Sequence, residues 1–322
     1  MPDVFQSLVG NLMVPTILFF VLGLVAAVLR SDLSIPEGAA KFMSLYLLLA
    51  IGFKGGNSLA GHGLQADVFA ALGAGLVLSF LIPFAAFGLL RVMTRLNAMN
   101  AAAVAGHYGS ISIVTFVAAS SLLELTGLAA DGFMVAVAAA MEVPAILSAL
   151  WIAHRFGAAG GGGHVPLREL LANGSIVLLA GAFLIGAVTR DKGMEMIAPF
   201  VVTPFTGILC LFLLDMGLSA GRSLMRNRQM LSPGLFAFGL LMPVIGAGFA
   251  LCLGVLIGLG TGSLFLLMVL AASASYIAVP AAMKIALPQA EAGIYLTLSL
   301  GVTFPFNITL GLPLYLWLAG LV

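Results

Sequence analysis

The chain has 322 residues, of which 62% are hydrophobic and 8% charged, and its formal net charge is +1. This composition excludes an ordinary soluble domain, which needs far more charge to cover its surface. No basic stripe indicates nucleic-acid binding, and Cys210 and Cys252 have no CxxC spacing that would indicate a metal site. Apolar runs of about 20 residues, enough to cross roughly 30 Å of hydrocarbon, recur along the chain. The sequence therefore predicts an all-α integral membrane protein in a lipid bilayer.

Ten transmembrane helices are predicted, in two groups of five on either side of a Gly-rich stretch. We expect a first five-helix repeat at residues 1–156, a linker at 157–167 and a second repeat at 168–322. The spans lie near residues 12–30, 37–53, 67–91, 98–122, 132–155, 168–189, 195–218, 232–260, 262–287 and 291–321.

Lys and Arg residues orient these spans. Ten of the 13 fall on one side of the predicted membrane, and three, Lys54, Arg190 and Lys192, fall on the other. The positive-inside rule puts the larger set and the central linker in the cytoplasm. We therefore expect both termini outside the cell, and Lys54 in a Gly-rich turn at the outer surface.

Similar segments recur in the same order in the two halves of the chain. Because five spans is an odd number, the second repeat must enter the membrane in the opposite orientation, as in many secondary transporters. The paired segments are 51–56 with 216–221 at an offset of 165, 109–112 with 272–275 at 163, and 142–146 with 303–307 at 161.

Spans four and nine each contain residues that interrupt a helix. Residues 106–112 place two glycines and two serines in span four, and residues 273–280 add a proline to span nine. The exposed N–H groups of a half-helix suit a small anion, and the exposed carbonyls suit a sodium ion. Ser110 and Ser273 are predicted to cap these ends or to donate to the anion. The alternative is that both patches only allow close helix packing.

A second group of candidates concerns the coupling ion. Glu142 is a carboxylate inside span five, and such a residue is a candidate sodium ligand or proton carrier. Asp215 lies nearer the end of span seven and fits either an ion site or the membrane interface. Asn307 and Thr115 offer neutral oxygens for an ion or for interhelical hydrogen bonds. His107 next to the first interruption is either a proton carrier or a packed core residue.

These segments together resemble the sodium-dependent bicarbonate transporter family first known from cyanobacteria (the SbtA type). The resemblance covers nearly the whole chain and depends on an ordered set of short segments. They are residues 35–37, 51–56, 106–119, 141–144, 216–217, 271–280 and 305–313.

The resemblance implies a core and a gate domain, a homotrimer in a bacterial inner membrane, and inward bicarbonate transport coupled to sodium, with no other cofactor. It implies that substrate and sodium bind around the two broken spans. Tyr276 stands where the cyanobacterial pattern has a carboxylate, and Val114 replaces a small hydroxyl residue. The central loop lacks the charged insertion of those members, so a soluble regulatory trimer is not supported. The implied positions are Gly109, Ser110, Ser112 and Thr115 in the first repeat and Ser273 and Ser275 in the second.

Two other functions stay open from the sequence. A proton-coupled transporter of small carboxylates would have the same architecture and would use His107 and Glu142. An intramembrane enzyme or a sensor is the third hypothesis, but the four scattered His residues form no catalytic cluster. Walker, HExxH and Ser-nucleophile motifs are absent from the sequence, so an enzyme is not expected.

Overall fold

The computed structural model describes residues 14–62, 65–156, 174–276 and 278–322, and these ranges are almost entirely helical without any strand. The predicted linker at 157–167 and the first residues of spans one and six lie outside the described residues. The helices are α1 Pro15–Val28, α2 Glu37–His62, α3 Ala66–Met93, α4 Ala98–Gly109, α5 Ile113–Thr126, α6 Met134–Ala140, α7 Pro144–Phe156, α8 Gly174–Val201, α9 Phe205–Asn227, α10 Pro233–Leu256, α11 Thr261–Ala271, α12 Ala278–Ala286 and α13 Ala292–Ala319.

Six helical stretches in the described ranges are long and apolar enough to cross a membrane. They are α3, α4 with α5, α6 with α7, α9, α10 and α13. The predicted span one falls on α1 and span nine on α11 with α12, where α1 and α11 are apolar but shorter, and spans two and six fall on α2 and α8. The chain is therefore an all-helical protein with several spans of membrane length.

Four helices form a group held by close backbone packing. The helix α1 lies along α9, the helix α2 lies along α8, and α9 also contacts α2. A Cβ at Gly23 or Gly217 would collide with backbone atoms across the first pair, and a Cβ at Gly52 or Gly56 would do so across the second. Small residues let membrane helices approach until their backbones touch. We refer to α1, α2, α8 and α9 as the four-helix group.

The predicted turns in this group differ from the observed ones. Lys54 lies within α2, which continues to His62, so its expected place in a Gly-rich turn is wrong. The following glycines stay helical because each packs closely against a neighbour, Gly55 against Val135 and Gly56 against the Phe183 carbonyl.

The chain reverses at Arg190 inside α8, where φ is 52°. Before the reversal, α8 runs parallel to α2, and the Phe183 carbonyl packs against Gly56. After it, Asp191 accepts a hydrogen bond from Asn57, 3.1 Å away, and the Phe200 carbonyl accepts one from Tyr46, 2.6 Å away. Residues 191–201 therefore return along α2, and the next helix starts at Phe205, not near the predicted residue 195.

The remaining helices pack together as a central group that holds the interrupted spans. The end of α4 lies so close to α3 that a Cβ at Gly109 would come 2.8 Å from the Ser79 carbonyl oxygen and would overlap the ring of Pro83. Only glycine fits there without displacing α3. The composition of this segment thus fixes the position at which the first interruption begins.

Two residue pairs in the central group each form two hydrogen bonds, one in each direction, and these bonds hold helix ends together. The Asn100 amide donates to the Glu291 carboxylate at 3.1 Å and accepts from the Glu291 N–H at 2.8 Å. The Ser263 hydroxyl donates to the Asp131 carboxylate at 2.7 Å and accepts from the Asp131 N–H at 2.9 Å. Asn100 lies near the start of α4 and binds the acidic residue that precedes α13. Ser263 lies near the start of α11 and binds the acidic residue that precedes α6.

Candidate substrate and ion site

The first interruption separates α4 from α5 at residues 110–112. Ser110 and Ser112 have extended backbone, and Ser112 is the N-cap of α5. The Ser112 hydroxyl oxygen accepts hydrogen bonds from the Thr115 N–H at 3.3 Å and the Thr115 hydroxyl at 2.9 Å. All three side chains are buried. The predicted break in span four is therefore present, and its serines and Thr115 lie together.

The second interruption follows α11 and precedes α12. The Ser273 hydroxyl donates back to the Val269 carbonyl in the last turn of α11 at 2.6 Å. The Ser275 hydroxyl accepts from the Val279 N–H in the first turn of α12 at 3.4 Å. The predicted break in span nine is also present.

The two interruptions meet each other directly. The Ser275 N–H donates to the His107 carbonyl across a distance of 2.7 Å. This carbonyl belongs to the last turn of α4, where helix geometry leaves carbonyls without an intrahelical donor. The non-helical segment after α11 thus supplies the missing donor, and we refer to this meeting of the two interruptions as the crossing. Gly109, Ser110, Ser112 and Thr115 lie on one side of this crossing, and Ser273 and Ser275 lie on the other.

Glu142 lies in a third interruption, which the sequence interpretation did not predict. Residues 141–143 form a turn between α6 and α7, and Pro144 cannot donate the next helical hydrogen bond. The Ser79 hydroxyl holds this turn by donating to the Met141 carbonyl at 2.6 Å and accepting from the Ala145 N–H at 3.2 Å. Pro144 was the available signal, since it follows Glu142 at mid-span.

The Glu142 side chain points from this turn to the first interruption. Its residue is 8% exposed, and its carboxylate accepts a hydrogen bond from the Ser110 hydroxyl at 3.1 Å. No described residue forms an ion pair with it. A buried carboxylate is costly unless a cation pairs with it or a proton neutralises it. This site can therefore bind either a small cation or a proton.

Asn307 contributes to the second interruption in a corresponding way. Its amide nitrogen donates to the Ala272 carbonyl at 2.9 Å, and its amide oxygen accepts from the Tyr315 hydroxyl at 2.9 Å. Asn307 begins one of two π-helical segments of α13, at Thr297–Thr303 and Asn307–Gly311. Such segments are frequent at functional sites. The last span of each half thus contributes one polar side chain to the interruption in the same half, Glu142 to the first interruption and Asn307 to the second.

The side chains of two further candidates take no part in these hydrogen bonds. Asp215 is half-buried in the middle of α9, and no hydrogen bond among the described residues connects it with the crossing. The His107 imidazole is fully buried, shares a 2.7 Å hydrogen bond with the Ala103 carbonyl through Nδ1, and stacks on Tyr295 at 4.3 Å. Its Nε2 has no partner among the described residues.

A cavity of about 290 Å³ lies between the four-helix group and the central group. Ile51 and Lys54 of α2 line one side, and Phe116 and Glu124 of α5 line the other. The Lys54 ammonium pairs with the Glu124 carboxylate at 2.8 Å and lies 4.6 Å from the centre of the Phe205 ring. The cavity therefore extends along α5 to Phe116, the residue after Thr115.

Apolar helices of membrane length around buried polar interruptions define a multi-pass membrane protein of the transporter class. A family model described as the Na⁺-dependent bicarbonate transporter superfamily matches residues 15–320. The chain belongs to this family, which is a family of transporters and not of enzymes. No curated protein matches the chain.

Proposed function

We propose that the protein is a secondary active transporter that couples the uptake of bicarbonate, or a similar small anion, to sodium by alternating access. The observation that carries this proposal is the crossing, where the Ser275 N–H meets the His107 carbonyl at 2.7 Å. The crossing brings half-helix N-termini, with exposed N–H groups, and half-helix C-termini, with exposed carbonyls, together in one buried site. Positive N-terminal ends attract an anion, and carbonyl ends attract a cation. A cotransported pair of opposite charges matches this arrangement.

The proposed architecture is ten spans in two inverted five-helix repeats. The two reciprocal pairs support it, because Asn100 and Ser263 are 163 residues apart and Asp131 and Glu291 are 160 apart. The packing of α1 on α9 and of α2 on α8 supports it as well. If span one corresponds to span six and span two to span seven, the symmetry exchanges these two helix pairs. The four-helix group then corresponds to the gate domain and the central group to the core domain.

Glu142 is the proposed sodium ligand. It is a buried carboxylate without a described cationic partner, and it points to the first interruption, where Ser110 and the neighbouring Thr115 offer neutral oxygens. Sodium prefers such oxygen ligands, and bound sodium would neutralise the carboxylate while the anion binds nearby. Binding of each ion then favours binding of the other, which is the requirement for tight coupling.

The same carboxylate supports a second candidate, a proton-coupled transporter of small carboxylates. A proton on Glu142 would remove the buried charge as a sodium ion would. Stabilisation of the purified protein by organic acids that depends on pH and not on sodium would favour this candidate. The family description favours sodium.

The cavity beside α5 is the proposed outer entrance, since the positive-inside rule puts Lys54 and Glu124 outside. Both termini are then outside. A homotrimer in a bacterial inner membrane is proposed on the family resemblance alone.

Uptake of radiolabelled bicarbonate into proteoliposomes tests the proposal. We expect accumulation with an inward sodium gradient and none when potassium replaces sodium at equal ionic strength. The double change Ser110→Ala with Ser273→Ala should weaken sodium-coupled uptake, since it removes the hydroxyl that donates to the Glu142 carboxylate, and a hydrogen bond to a charged group contributes about 1.5–3 kcal/mol. Equal uptake with sodium and potassium contradicts the coupling, and absence of uptake contradicts the substrate.

A further inference from the structure

The hydroxyl of Tyr276 is an unused hydrogen-bond donor at the crossing. Its oxygen is buried, and no described residue forms a hydrogen bond with it that satisfies ordinary distances and angles. Buried hydroxyls nearly always have a partner, because an unsatisfied one costs free energy. A buried hydroxyl without a well-formed hydrogen bond to the described residues points to a ligand as its partner.

The position of Tyr276 connects the two interruptions. The residue belongs to the non-helical segment before α12, and its hydroxyl has Ser112, the cap of α5, as a polar neighbour. The Ser112 oxygen accepts two hydrogen bonds from Thr115, and its own O–H forms no other well-formed hydrogen bond with the described residues. Two hydroxyl donors, one from each half of the chain, therefore lie side by side at the N-terminus of α5.

Tyr276 also lies where the central group meets the four-helix group. Its ring packs on Phe304 of α13, with centroids 5.2 Å apart, and Phe304 packs edge-on against Phe20 of α1 at 5.3 Å. An alternating-access transporter changes its packing along this boundary. A substrate contact here would be formed where the substrate is enclosed.

We propose that the Tyr276 hydroxyl, with that of Ser112, donates a hydrogen bond to an oxygen of the transported oxyanion. This inference rests on the proposed function and makes Tyr276 a substrate-binding residue. A neutral phenol donates to an acceptor oxygen, so this pair can bind and orient a small oxyanion of the carboxylate or bicarbonate type. The half-helix N-terminus contributes attraction for negative charge, and the hydroxyls contribute directed hydrogen bonds.

The variant Tyr276→Phe tests this assignment, because it removes only the hydroxyl. Since the hydroxyl has no well-formed hydrogen bond to a described residue, the thermal midpoint of the ligand-free protein should stay the same or rise. The KM for bicarbonate should rise by roughly ten- to a hundredfold, the loss expected for a hydrogen bond to an anion. The half-saturating sodium concentration, measured at saturating bicarbonate, should stay unchanged.

Tyr46→Phe is the matched control. The Tyr46 hydroxyl is bonded to the Phe200 carbonyl at 2.6 Å in the four-helix group. Its removal should lower the thermal midpoint and leave the KM for bicarbonate unchanged, which is the opposite pattern.

Three results overturn the assignment while the wild type transports normally. They are an unchanged KM in Tyr276→Phe, a fall in its thermal midpoint like that of Tyr46→Phe, and a change in the sodium constant without a change in KM. The last result would make the hydroxyl a sodium ligand. Absence of bicarbonate uptake by the wild type overturns the proposed function and this assignment with it, so the two failures are distinguishable.

Discussion

Replacement of Glu142 by Gln removes a charge at the proposed ion site with little change of shape. The amide oxygen of Gln can still accept the hydrogen bond that Ser110 donates at 3.1 Å. What disappears is the negative charge that a bound sodium ion would neutralise. Because the residue is 8% exposed, solvent screens this charge weakly.

The expected magnitude follows from the cost of breaking a buried charge pair, about 3–5 kcal/mol. At about 1.4 kcal/mol for each factor of ten, Glu142→Gln should weaken sodium binding by roughly 100- to 4,000-fold. The variant should also be more stable than the wild type when sodium is absent, since it no longer buries an unpaired carboxylate.

Thermal unfolding against sodium concentration measures both effects. A ligand that binds only the folded protein stabilises it by about 2.7 kcal/mol at one hundred times its Kd. The wild type should gain stability with sodium chloride and not with potassium chloride, and Glu142→Gln should gain none. The control is Glu124→Gln, whose side chain is 56% exposed in the ion pair with Lys54 and whose sodium response should persist. A normal sodium response in Glu142→Gln would refute the role of this carboxylate.

Three other changes have outcomes that the packing determines. Gly109→Ala places a Cβ against α3 and should abolish uptake, whereas Gly73→Ala on α3, where a Cβ meets nothing within 4 Å, should leave uptake intact in the same liposome assay. Asn100→Ala removes both hydrogen bonds to its acidic partner and should lower the free energy of unfolding by about 1–3 kcal/mol; a loss below a few tenths would show that the pair is not structural. Reversing the charge of Lys54 or of Glu124 alone should lower the free energy of unfolding by no more than about 1 kcal/mol, because the ion pair is partly exposed. Exchanging the two residues should restore this free energy. If it does not, the ion pair makes no direct contribution to stability.

The interruptions in spans four and nine were predictable because they depend on which residues the interrupted segment itself contains. Glycine and serine weaken a helix wherever they occur, and a proline removes a hydrogen bond whatever surrounds it. The turn at Glu142 was not predictable in this way. Pro144 begins α7, but Pro83 and Pro243 lie inside α3 and α10, which continue through them. Neighbouring groups decide whether a membrane helix survives a proline, and here Ser79 of α3 holds the turn open.

The return of the chain after Arg190 depends on tertiary contacts. The charges at residues 190–192 indicated the end of a span, and the reversal occurs there. The sequence predicts that span seven begins near residue 195, in a moderately apolar stretch. The actual course of residues 191–201 is set by hydrogen bonds to Asn57 and Tyr46, residues more than 130 positions away in sequence. The π-helical segments of α13 were also missed, since they change hydrogen-bond register and not composition.

The location of the two ions is the decisive observation for the proposed coupling. A density map of the protein in nanodiscs with sodium bicarbonate, compared with one in potassium chloride, would give this location. We expect an added planar density between Ser112 and Tyr276 and a sodium ion within ligand distance of Glu142, with the crossing of the two interrupted spans intact. Added density elsewhere, with these side chains unaltered between the two maps, would contradict it.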